Sequence, residues 1–302
     1  LCPDSPAGAP CLVQGAIDLA CTELTEGVDL EDVFIDGDLS LEGARVKGAG
    51  LRLSGVDVIG TLNLANVGIE GSLQLERVSV ASELFAPLAR VRGEARIAEL
   101  RALEGATLSG ARIGKALVIE RSVLGSLDLS SAEAAELSVA GSGVVEELWL
   151  ERVRLSGSLR LELLGIGGTL FASDLDIGGS LASGGTRLDA SAELGGRIEE
   201  GVSLRGLRVR GDLELLALVS GARFELVSSE IGAHFAVDAS EFEEGLRVEY
   251  SEIGKDADLL GATIEGEAAF VGVSFGGLLS VNEQELETPL RLTDCVPAEP
   301  RP

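Results

Sequence analysis

The chain has 302 residues, 50 of them acidic and 24 basic, for a formal charge of −26 at pH 7. A charge of that sign and size repels nucleic acid and anionic membranes, so neither is expected as a partner. No apolar run approaches the ~20 residues that a membrane span needs, and membrane insertion is not expected either.

Residues 1–16 carry Pro3, Pro6 and Pro10 together with Cys2 and Cys11, and they read as an irregular arm. The chain starts at Leu1 and contains no methionine, which reads as a mature product after removal of a signal peptide and predicts an extracellular or cell-surface protein. From residue 17 to residue 281 a period of eleven residues takes over. Apolar pairs spaced i, i+2 recur as Ile17/Leu19, Val28/Leu30, Leu39/Leu41, Leu51/Leu53, Leu62/Leu64 and Leu73/Leu75, and onward to Leu279/Val281. A second pair follows at i+5 and i+7, as in Ala44/Val46, Val67/Ile69, Ala111/Ile113, Val153/Leu155 and Ala262/Ile264. Glycine commonly stands two residues before the first pair, as at Gly37, Gly60, Gly71, Gly125, Gly157, Gly168, Gly179 and Gly211. Residues 282–302 hold one degenerate rung with Leu290, Leu292 and Cys295, then a Pro-rich tail.

Residues at i and i+2 face one side of a strand, so each eleven-residue copy encodes two short strands separated by corners. The spacing lacks the sustained i, i+3, i+4, i+7 stripe of a helix. One copy is too short to enclose a core, whereas two make a four-sided turn of about 22 residues with inward side chains on every side. A single turn cannot offset its own ordering entropy, so stability has to come from stacking. About 25 copies give an all-β, parallel β-solenoid of about twelve turns, a rod roughly 60 Å long. The period slips at three places: one residue long between Leu39 and Leu51, one short on each side of Leu127, and short again between Ala192 and Val202. Corner deformations are expected there.

The runs Gly43-Ala44-Arg45-Val46, Gly110-Ala111-Arg112-Ile113 and Gly261-Ala262-Thr263-Ile264 resemble the Ala-(Asp/Asn)-Leu-x-x unit of pentapeptide-repeat proteins, although the Asp or Asn is mostly absent here. That resemblance implies a right-handed, four-sided β-helix. It also implies an alternative function, since some acidic members mimic DNA to a DNA-binding enzyme. The short Gly-x-Leu-x-Leu rungs are similar to those of the polymerising bactofilins, which implies self-assembly.

Four cysteines stand three at the start and one near the end. A uniform rod keeps Cys295 far outside the ~7 Å that a disulfide permits, so it is either reduced or bonded to another subunit. The register places both Cys11 and Cys295 in the i+5 slot of terminal rungs, with Val13 beside Cys11. Two subunits stacked end to end would bring these slots about one rung, 4.8 Å, apart. Cys11 would then bond Cys295 of the neighbour and Cys2 would pair with Cys21; alternatively Cys11 pairs with Cys21 and Cys2 reaches the neighbour's Cys295.

Side chains able to carry chemistry are sparse. His234 is the sole histidine, no His-based triad or metal cluster can be built, and no cofactor motif is present. Trp149 lies between the inward Leu148 and Leu150 and so points outward, as a lateral contact, a sugar platform or an isolated surface aromatic. Glu146/Glu147, Glu199/Glu200 and Glu243/Glu244 are adjacent acids at corners, where a divalent cation would bind weakly. Tyr250 and the three lysines, Lys47, Lys115 and Lys255, form no cluster. The expectation is a non-enzymatic structural subunit that polymerises head to tail into an extracellular filament, with Val13, Ile17, Leu19, Leu290 and Leu292 on the joining rungs.

Overall fold

A computed structural model describes residues 11–282 and 286–297, and among them the strands pair in parallel and no helix occurs. The protein is a β-solenoid of about 13 turns, with strands stacked about 22 residues apart. One turn illustrates the design. Ser72–Glu76, Ser79–Val80, Glu83–Phe85 and Arg90–Val91 form its first, second, third and fourth sides. The inward pairs Leu73/Leu75, Val78/Val80, Leu84/Ala86 and Ala89/Val91 are all at most 2% exposed. Each strand is in register with its equivalent one turn on, so that Leu73 pairs with Ala95 and Val80 with Ala102. Within each unit the core is therefore four sets of apolar columns.

Two of the four corners require a left-handed backbone. Arg77 (φ 53°) joins the first and second sides, and Leu88 (φ 56°) joins the third and fourth. The same conformation recurs every eleven residues at Glu99, Gly110 and Arg121, which gives the repeat its period in backbone terms. On the third side Asp18, Asn63, Asp128 and Asp258 accept the backbone N–H two residues on, at 2.8–3.0 Å, and so support the following corner. Glycine two residues before the first pair answers a different demand. A Cβ on Gly71 would sit 2.2 Å from the carbonyl oxygen of Ala49 on the turn below.

The chain divides into two compact units, Leu1–Val145 and Glu146–Pro302. The strands extend past the expected limits of the repeat: Cys11–Gln14 pairs with residues 33–36, and Arg291–Thr293 pairs with residues 269–271. The degenerate rungs thus join the stack, which explains about 13 turns where the period predicts about twelve.

In the first unit both irregular spacings are absorbed at corners. The long turn runs from Val28 to its partner Leu51, with Gly48 and Gly50 both at positive φ. The short turn runs from Leu117 to its partner Leu137 and removes residues at two corners without breaking the ladder. In the second unit the register shifts between Ala172 and Leu175 opposite Leu194 and Gly196, where the spacing predicts a deformation.

Buried hydroxyls occur in the core and are nearly all satisfied. On the second side of the first unit, Ser122 Oγ accepts the Leu100 N–H at 3.2 Å and donates to the Glu120 carbonyl at 3.0 Å, while Ser142 Oγ accepts the Ser122 N–H at 3.1 Å. Ser229 and Ser251 repeat this arrangement in the second unit. Ser183 departs from it. It stands between Leu161 and Leu204 on the first side, and its buried Oγ has no hydrogen-bond partner. Ser183→Ala removes an unsatisfied group and is expected to raise the unfolding free energy by about 1 kcal/mol in urea titrations. A loss of stability would show that the hydroxyl is satisfied in solution.

Candidate functional site

The repeat pairs each strand on both edges, except at the ends of the stack. Among the described residues Cys11–Gln14, Ile17–Asp18 and Glu23–Leu24 pair only with the turn above, and Leu279–Val281, Arg291–Thr293 and Val296–Pro297 pair only with the turn below. Their outer edges carry backbone groups that no described strand meets. The core columns are less buried at the same places. Val13, Ile17 and Leu19 are half-buried, whereas their successors Ile35, Leu39 and Leu41 are fully buried. Leu279, Val281 and Leu290 are half-buried and Leu292 is exposed, whereas Ala257, Leu259, Ala268 and Phe270 one turn below are fully buried.

The cysteines only partly follow the expected arrangement. Cys11 pairs in register with Val33, and Cys295 precedes Val296, which pairs with Ser274, so both occupy the first inward slot of the second side. Cys295 takes the place of the ladder serines, its thiol lying 3.3 Å from the Phe270 carbonyl and 3.5 Å from that of Thr293. Cys11 is disulfide-bonded, and its partner lies outside the described residues, as does Cys2. Cys21 and Cys295 are free thiols. This corrects both expected local pairings, Cys2 with Cys21 and Cys11 with Cys21. Cys21 stands at a left-handed corner (φ 55°) between the third and fourth sides, exposed and lying over Gly43, half a turn away from the column of Cys11.

The outward columns of the first, second and fourth sides mix signs of charge, whereas that of the third side carries no lysine or arginine among the described residues. Arg96 pairs with Glu120, Arg121 with Glu99 and Glu120, Arg205 with Glu225, and Arg291 with Glu267, at 2.7–3.3 Å. All are surface pairs, each contributing little alone. Lys47 hydrogen-bonds Glu23 and holds that carboxyl below its ordinary range, while the lysine is raised in return. Burial, then the neighbouring Glu104, raises the Glu83 carboxyl. A hollow of about 400 Å³ on the second side of the first unit is lined by Arg77, Arg101 and Arg121, but Asp57 and Glu99 stand among them.

His234 is half-exposed. Its backbone N–H donates to Asp212 Oδ1 at 2.9 Å, and its ring Nδ1 lies 3.6 Å from Asp256 Oδ2, one turn on. The acid pairs lie at exposed corners, and among the described residues no three His, Cys, Asp or Glu side chains gather to hold a metal ion. Tyr250 is exposed at a left-handed corner, its ring over Gly272. Trp149 does face outward, but it is not isolated. Its ring stacks on Phe171 of the next turn, with centroids 6.3 Å apart and planes 11° from parallel. The i, i+22 spacing of the two outward aromatics can be counted in the sequence, but only the pairing of their strands shows the contact.

No family model, curated protein or solved structure matches this chain.

Proposed function

We propose that the protein is a structural subunit that stacks end to end with further copies of itself. The observation that supports this reading is the open rungs at the start of the first unit and at the end of the second, each an all-parallel edge whose outer backbone groups no described strand meets. A parallel edge at one end is complementary to the parallel edge at the other. Stacking would pair the open backbone groups and bury Ile17 and Leu19 against Leu279 and Val281 of the neighbour and Leu30 against its Leu292, with Val13 on the adjoining second-side rung. Such a contact is heterologous and yields an open filament unless its rotation closes a ring.

Cys295 then has a route to a covalent joint without an added oxidant. Its thiolate attacks Cys11 Sγ of the neighbouring copy, a Cys295–Cys11 bond forms, and the sulfur formerly bonded to Cys11 leaves as a thiolate that takes up a proton. A disulfide-linked joint belongs to an oxidising, extracellular or cell-surface setting. The alternative, an acidic pentapeptide-like decoy for a DNA-binding enzyme, draws on the −26 charge. The interleaving of arginines with acids on three of the four sides favours the structural reading, because a duplex mimic needs long rows of unpaired negative charge.

The test is negative-stain microscopy and sedimentation over a concentration series, with and without reductant, on the natural chain and Cys295→Ser. The expected result is concentration-dependent linear assemblies from both proteins, with reductant-sensitive multimers on denaturing gels from the natural chain only. Monomers at every concentration would overturn the stacking. Assemblies without a Cys295-dependent covalent ladder would overturn the lock alone.

A further inference from the structure

The outward column of the third side differs from every other outward column of the second unit. In register it runs Trp149, Phe171, Glu193, Glu214, Ala236, Asp258 and Ser280, without a lysine or arginine. The other three sides all carry arginines: Arg160, Arg247 and Arg291 on the first, Arg187 and Arg208 on the second, Arg154 and Arg197 on the fourth. Trp149, Phe171, Glu193 and Glu214 are each half-exposed. No salt bridge or side-chain hydrogen bond engages Glu193 or Glu214 among the described residues, although they stand on successive rungs. Arg152 stands at the corner next to Trp149 and is itself not without a partner.

Two carboxylates directly opposite each other on strands about 4.8 Å apart repel, and a cation placed between them removes that cost. The stacked rings add a second attraction for the same ligand. Each ring covers one face of the other, and the rung beyond Phe171 carries Glu193, so a flat cation entering there meets a π face and a carboxylate together. A guanidinium fits better than an ammonium, since it stacks on a ring and bonds a carboxylate through a planar fork. The spacing also suits an extended chain. Four rungs span about 14 Å, and same-face side chains of an extended peptide recur about every 6.8 Å, so the column accepts two or three of them.

We propose that the column Trp149–Phe171–Glu193–Glu214 is a docking surface for an arginine-bearing extended polypeptide, independent of end-to-end stacking. Trp149 is the only tryptophan in the chain and reports on the site directly. The experiment titrates an alternating Arg-Ser peptide, its Lys-Ser counterpart and a neutral oligosaccharide into the full chain at physiological salt, following tryptophan emission. Three variants accompany it: Glu193→Gln/Glu214→Gln, Phe171→Ala, and the charge-matched Glu241→Gln/Glu265→Gln on other columns, each checked for unchanged circular dichroism. The expected result is a saturable emission change with the Arg-Ser peptide and weaker binding of Lys-Ser. Affinity should fall about tenfold in the column variants and about twofold or less in the charge-matched one. Equal losses in the two double variants would reduce the effect to net charge and overturn the proposal. So would an unmoved emission, or an equal response to the neutral sugar.

Discussion

Replacing Phe224 by Ala is expected to lower the unfolding free energy by about 3–5 kcal/mol. The ring is fully buried, with its centroid 6.4 Å from Phe235 and 5.5 Å from Phe242. These three aromatics come from three sides of one turn and meet in its interior, where most turns hold Leu, Val and Ala. Their bulk is matched by small neighbours: Ser220, fully buried, pairs with Phe242 on the fourth side. Truncation of Phe224 leaves a void lined by rings that cannot collapse, because each is held by strand pairing above and below. Phe224→Leu, which keeps most of the volume, should cost clearly less. Urea titration followed by circular dichroism measures both. A Phe224→Ala loss under about 1 kcal/mol would mean that the turn relaxes into the void, contrary to a core fixed by its ladders.

Gly196→Ala is expected to cost about 3 kcal/mol or more, although it adds one methyl group. Gly196 has φ +110°, and a Cβ there would lie 2.2 Å from both the backbone nitrogen and the carbonyl oxygen of Leu175 on the turn below. This is the point where the second unit absorbs its missing residue, with the register shifting opposite Ala172 and Leu175. A side chain would force the ladder apart there. Gly184→Ala is the control, because its Cβ would meet nothing within 4 Å and its φ is not positive. It should change stability by no more than about 0.5 kcal/mol. Equal effects of the two variants in thermal and urea unfolding would reject a steric origin.

The expected fold was legible because the i, i+2, i+5, i+7 pattern repeats so many times that one register satisfies every copy. Ser122, Ser142 and Thr186 break the apolar pattern at inward slots, yet the period holds through them. The structure shows why: their hydroxyls bond the backbone, with Thr186 Oγ1 reaching the Leu161 carbonyl at 3.0 Å. The positions of Cys11 and Cys295 in one slot of the second side were also legible, since they depend on counting alone. Their redox states were not. Which sulfurs meet depends on how corners turn, and the left-handed backbone at Cys21 points its thiol away from the core.

The outward face shows the same division. Trp149 and Phe171 can be placed outward from their neighbours in the chain, but their stacking needs the 22-residue pairing that brings them together. Glu193 and Glu214 look like ordinary surface acids until the register sets them in one column with the rings. Sequence alone determined the solenoid, its turn length and the inward slots, because hydrophobic periodicity acts through positions a few residues apart. Tertiary structure decided the corner conformations, the hydrogen bonds of the buried hydroxyls, the free thiols and the aromatic-acid column, because each depends on contact between residues a full turn apart, where a slip of one residue exchanges every neighbour.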